Sequence, residues 1–107
     1  MNIIKTESEL RAVIGGEKTA IVCFHSTRSA YSRRTVKILS GVESKFAPAA
    51  FWLVDADVDA FMRLLWEFDV VALPTIVIFC RAFQARTLIG ERSERSFVTI
   101  LEKYLKH

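Results

Sequence analysis

The side chains able to do chemistry in this 107-residue chain gather in one short stretch, with a single outlier downstream. Cys23, His25, Arg28, Ser29, Ser32, Arg33, Arg34 and Lys37 lie close together, and Cys80 stands alone. Ser29 immediately precedes a run with helical spacing. Its hydroxyl is therefore placed to cap a helix, or to help hold an anion or a glutathione-like ligand at the helix start. No acid occurs between Lys18 and Glu43, so Arg28, Arg33, Arg34 and Lys37 form a cluster of one sign. Such a cluster suits an acidic peptide, a phosphate group or nucleic acid, or is simply a solvated helix face. His25 would act as a base toward Ser29 only with an orienting acid, and its neighbour Cys23 is not one; it reads as structural or surface. Cys23 sits in an apolar run and reads as a buried, unreactive thiol, its pKa raised further by a nearby Asp55. Cys80, at the end of another apolar run, is expected to be partly exposed, and no bond between the two cysteines is expected. A zinc site would need all of Cys23, Cys80, His25 and His107, so no metal and no cofactor is expected.

These residues need a scaffold, and composition bounds it. A chain of this length makes one domain, residues 1–107, with one core. It is 51% hydrophobic and 25% charged, with four glycines, two prolines and two cysteines. That excludes a disordered chain, a collagen-like chain and a disulfide-built scaffold. A net charge of +3 is too small to argue for nucleic acid by itself. Lys5, Glu7 and Glu9 interrupt the start before any hydrophobic signal core forms, and no apolar stretch approaches the ~20 residues of a membrane span. The expectation is a soluble cytoplasmic protein with no membrane contact.

The period of the hydrophobic pattern alternates along the chain. Residues 2–5 read as a short strand. Thr6 and Glu9 form a capping box for a helix through Leu10, Val13 and Ile14, which Gly15 and Gly16 end. Residues 19–25 are almost continuously apolar, as in a strand covered on both faces. Residues 29–46 are helical, with Tyr31, Thr35, Ile38, Leu39, Val42 and Phe46 on the inner face, and Pro48 stops them. Residues 50–55 form a second buried strand, and 60–68 a short helix with Phe61, Leu64, Leu65 and Phe68 inward. Residues 75–80 and 85–89 pair as a hairpin. Ser93 caps a last helix that buries Phe97, Leu101, Tyr104 and Leu105. Trp52 and Trp66 read as core or interface. The order β-α-β-α-β-α-β-β-α predicts parallel pairing of the helix-joined strands, a final antiparallel hairpin, and one mixed sheet with helices on both faces.

This order resembles the thioredoxin family: an α/β fold with a central mixed five-stranded sheet flanked by four helices. Particular residues carry the likeness. Leu73-Pro74-Thr75 matches the tripeptide before the family's fourth strand, whose proline is cis. Asp59 matches an aspartate at the end of the third strand, and Gly90 a glycine in the fifth. Phe24 ends the second strand five residues before the helix that carries the redox site. There the family has Trp-Cys-Gly-Pro-Cys, and this chain has Arg28-Ser29-Ala30-Tyr31-Ser32. Dithiol exchange needs a nucleophilic thiolate and a resolving thiol, and serine supplies neither. The supporting residues differ as well. Cys23 replaces the family's buried aspartate, Asp55 its lysine partner, and Arg81-Ala82 its Asn-Gly turn.

The resemblance therefore implies a redox-inactive thioredoxin-like domain with no catalytic residue. It would bind a protein or peptide through Arg28, Ser29, Ala30, Tyr31, Ser32, Asp59, Leu73, Pro74 and Gly90. Leu73 would pair its backbone with an extended segment. Two other readings stay open. One is a thiol- or glutathione-dependent oxidoreductase or transferase using Cys23, Cys80 or Ser29. The other is an anion or nucleic-acid binder using Arg28, Arg33, Arg34 and Lys37. Self-association through Tyr31, Phe61 and Leu73 is a further expectation.

Overall fold

The computed structural model describes residues 1–16 and 18–105; His107 lies outside them. Five strands form one mixed sheet in the order β1-β3-β2-β4-β5. They are β1 (Asn2–Ile3), β2 (Ala20–His25), β3 (Phe51–Asp55), β4 (Thr75–Cys80) and β5 (Phe83–Ile89). Four helices accompany them: α1 (Glu7–Ile14), α2 (Ala30–Glu43), α3 (Met62–Glu67) and α4 (Glu94–Leu105). Short 3-10 turns follow α2 and precede α3.

The central strand explains the layering. Side chains of β2 alternate between the two faces, and both faces are dry. Ala20, Val22 and Phe24 pack with Leu10 and Ile14 of α1 and with Leu64 of α3. Ile21 and Cys23 pack with Leu39 and Val42 of α2 and with Phe97 and Leu101 of α4. A strand covered on both sides has no polar position to offer, which is why residues 20–24 read as an unbroken apolar run.

Parallel pairing holds for β1, β3 and β2 but not across α3, where the expected parallel crossover is replaced. β4 runs antiparallel to β2, with Thr75 opposite Phe24. α3 itself has six residues and rises only about 9 Å. The chain leaves β3 at Asp55 and re-enters at the same end of the sheet.

That end gathers the segments expected to form the binding rim. His25 lies beside Asp55 in the β2–β3 register. The start of α2, the 71–74 segment before β4 and the end of β5 are brought to the same rim, where Thr75 pairs with Ile89. The Gly90 N–H donates to the Pro74 carbonyl at 2.8 Å. Gly90 stands just past β5 rather than within it, at φ +87, a left-handed conformation that favours glycine. The β4–β5 connection is the two residues Arg81 and Ala82, at φ +50 and +70. This is the geometry of a primed hairpin turn, made without the usual Asn-Gly.

Candidate functional site

The capping chemistry at the start of α2 consumes both serines. Ser29 is the N-cap, and its hydroxyl accepts the Ser32 N–H at 3.1 Å. The Ser32 hydroxyl, fully buried, accepts the Ser26 N–H at 3.2 Å. These bonds set the turn of chain between β2 and α2. Neither oxygen has a hydrogen bond to a base, and no bond joins His25 to Ser29 among the described residues. The arrangement is that of a capped helix entrance.

Two residues without a part in the sequence-based expectations hold this entrance in place. The buried Ser26 hydroxyl donates to Asp57 at 2.6 Å and accepts the Arg28 N–H at 3.2 Å. The Arg28 guanidinium donates to the other Asp57 oxygen at 3.2 Å. Asp57 thus clamps the β2–α2 loop to the loop after β3. Those two bonds, Ser26 first, hold its carboxyl below the usual range. The signal in the sequence is the Asp55-Ala56-Asp57 pattern at a strand end, where the first acid turns the chain by accepting the Asp57 N–H at 2.9 Å.

Several expected positions shift. β3 ends at Asp55, so Asp59 is not at its end; it is exposed, at the head of a 3-10 turn, four residues further on. Tyr31 does not face inward. It is 59% exposed, and Ser32 takes the buried place at the first turn of α2. Phe61 is buried and cannot join a surface for self-association; Val58 and Met62, to either side, are the exposed residues there. Asp55 lies opposite His25, not against Cys23, whose thiol is pushed up to about 12 by burial alone. The Leu73–Pro74 bond is cis, and so is Ala47–Pro48. Pro74 is buried and Leu73 half-buried.

The basic cluster is dispersed by its partners. Arg28 is tied to Asp57, and Arg33 donates to the Thr27 carbonyl at 2.6 Å. Arg34 donates to both oxygens of Glu91, at 2.5 and 3.2 Å, and lies over the Tyr31 ring, 5.1 Å from its centre. Arg34 thus links the Tyr31 ring to Glu91 in the chain after Gly90. Lys37 keeps an exposed ammonium.

The thiols lie elsewhere. Both cysteines are free, Cys23 buried and Cys80 half-buried. Cys80 sits against Thr19, four residues from Cys23 along the β2 segment. At roughly 3.3 Å per residue that is about 13 Å, far beyond bonding reach.

His25 makes the site pH-sensitive. Burial holds its imidazole below the ordinary 6.5, against the opposing pull of Asp55 and Asp57. The unfolded chain therefore binds this proton more readily than the folded one, and stability falls as pH drops through the unfolded value. In urea titrations, wild type is expected to lose stability between about pH 7.5 and 5.5, and His25→Asn to lose less. Equal losses in the two proteins would contradict this assignment.

No protein-family model and no curated protein matches the sequence. Solved structures do. A Plasmodium falciparum thioredoxin aligns over 97% of this chain and 99% of its own at a TM-score of 0.87 and 18% identity. A mutant thioredoxin of Halobacterium salinarum aligns over 99% and 91%, also at 0.87 and 18%. Thioredoxin O2 of Arabidopsis thaliana, in its oxidised state, aligns over 98% and 94% at 0.85 and 16%. The chain has the thioredoxin fold. The likeness is one of fold, and among the described residues no helix is long and apolar enough to cross a membrane.

Proposed function

We propose that this chain is a redox-inactive thioredoxin-like domain that binds a protein or peptide at the rim formed by the start of α2 and the 71–74 segment. One observation carries the reading. The two positions that would hold a dithiol are hydroxyls bound into the helix cap, while the aromatic side chain between them, Tyr31, is exposed and braced by Arg34 and Glu91. A braced, exposed tyrosine is the kind of anchor that dominates binding energy at interfaces. The Leu73 backbone, next to Pro74, offers an edge for an extended segment. Two free thiols too far apart to pair suit a reducing compartment, in keeping with the cytoplasm.

Insulin-disulfide reduction driven by dithiothreitol is expected to run at its uncatalysed rate in the presence of this protein. Partners captured on the immobilised wild type are expected to be lost from Tyr31→Ala, with about a tenfold or greater loss in affinity, the size typical of an aromatic anchor. The exposed position of Tyr31 leaves the fold intact in that variant. Catalysed insulin reduction, or the same partner set on both proteins, would defeat the proposal.

A further inference from the structure

Trp66 is 82% exposed, more than any other large hydrophobic residue among those described. It is not an isolated side chain. Met62 and Trp66 are four apart and share one side of α3, with Asp59 in the turn before the helix and Asp69 just beyond its end. All four are exposed. An apolar pair is thus bracketed by an acid at each end. Val71, 77% exposed, continues the apolar area. Between it and Trp66 lies a groove of about 410 Å³ lined by Leu65, Trp66, Asp69, Val70 and Val71. Exposed tryptophan and valine in one concave place mark an interaction surface more often than chance scatter does.

The charge of the groove is specific. Glu67 has its carboxylate taken by both arms of Arg11, at 3.0 and 2.6 Å. Asp69 has no side-chain hydrogen bond or ion pair among the described residues. It closes α3 at φ +58, its N–H bonded to the Trp66 carbonyl at 3.1 Å. Aspartate tolerates that backbone, but its negative charge adds to the potential of the helix's terminal carbonyls. A bound cation relieves that cost.

We propose that this groove binds an arginine side chain of a partner polypeptide. Its aliphatic stem lies along Val70 and Val71, and its guanidinium lies between the Trp66 ring and the Asp69 carboxylate. Arginine fits better than lysine because a planar guanidinium stacks on an indole and bonds a carboxylate at the same time. Met62 and Val58 extend the apolar surface toward Asp59, so the preferred segment carries an apolar residue between two cations. The groove shares Val71 with the 71–74 segment of the rim around Tyr31 but takes no lining residue from the start of α2, and the inference stands without that reading.

The probe is a capped pentapeptide, Ala-Arg-Leu-Arg-Ala, titrated into isotope-labelled protein alongside the same peptide with citrulline for arginine. The arginine peptide is expected to shift the Trp66 indole N–H and the amides of Asp69 and Val71. The neutral peptide is expected to bind about tenfold more weakly. Asp69→Asn, which keeps a residue tolerant of the left-handed backbone, is expected to weaken the arginine peptide by about fivefold or more. Trp66→Ala, at an exposed position, is expected to remove the shifts. Equal affinity for the two peptides, an undiminished response in Asp69→Asn, shifts centred on Tyr31 and Leu73, or no shift at about 5 mM peptide would each overturn the proposal.

Discussion

The double variant Ser29→Cys, Ser32→Cys is expected to acquire dithiol chemistry at the entrance to α2, where the wild type carries two hydroxyls. The argument rests on the cap. The Ser29 oxygen receives the Ser32 N–H at 3.1 Å at the N-terminus of a 14-residue helix. A sulfur in that place receives the same N–H and the same helix-end potential, which lower a thiol's pKa toward or below about 7. Position 32 is fully buried one turn on, so the second thiol stays protonated and resolves the mixed disulfide. Mild oxidation is expected to remove two of the four thiols counted in denaturant. Insulin reduction is expected to rise about tenfold or more above wild type, the scale on which a low-pKa thiolate outpaces an ordinary one. Four thiols remaining after oxidation, with no turnover, would show that the entrance to α2 no longer holds a dithiol geometry.

How far the sequence reveals this site depends on which residues solvent can sort. Leu10, Ile14, Phe24, Leu39, Val42 and Phe97 are legible because burial imposes a period, and all are buried as their spacing requires. The Ser29 and Ser93 caps are legible because few side chains can take that place, and both accept the expected N–H. The misplacements arise at edges. Tyr31 and Ser32 are neighbours at the first turn of α2, and hydrophobicity alone sends the tyrosine inward. The bond from Ser26 to the Ser32 hydroxyl reverses that choice. Phe61 and Met62 fall where a 3-10 turn becomes an α-helix, and the change of period decides which one is covered. The antiparallel direction of β4 is not legible, because the nineteen residues between β3 and β4 are long enough for either direction, and α3 has no side-chain cap to mark its start. The Asp57 clamp joins loops thirty-one residues apart, and nothing local to Ser26 or Asp57 announces the partner. The thioredoxin resemblance marks positions spread along the chain, and the segments that carry Phe24, Pro74 and Gly90 meet at one end of the sheet only in the fold.

Cys23→Asp is expected to be the most destabilising of the variants considered, and its pH dependence gives the reason. Cys23 lies at the centre of β2, opposite Leu53 of β3 and Ile76 of β4, with no exposed surface. Its neighbours on that face include Leu39, Val42 and Phe97, none of which can bond a carboxyl. Burial alone pushes its thiol up to about 12, and the same dryness must act on a carboxylate. An unpartnered acid there costs roughly 3–5 kcal/mol, against a typical total stability of about 5–15 kcal/mol. The sign of the pH effect follows. A carboxyl whose folded pKa is raised above its unfolded value near 3.9 is protonated in both states in strong acid. The folded state is penalised increasingly as pH climbs from that value toward the folded one. The stability gap between wild type and Cys23→Asp is therefore expected to be wider at about pH 7.5 than at about pH 4.5. Cys23→Ala should lose only about 1–2 kcal/mol, by cavity formation, with no added pH dependence. A gap of the same size at both pH values would mean that the carboxylate finds water or a partner behind α2. The position where the resembled family keeps an acid near its dithiol would then still be wet, instead of closed over by the core.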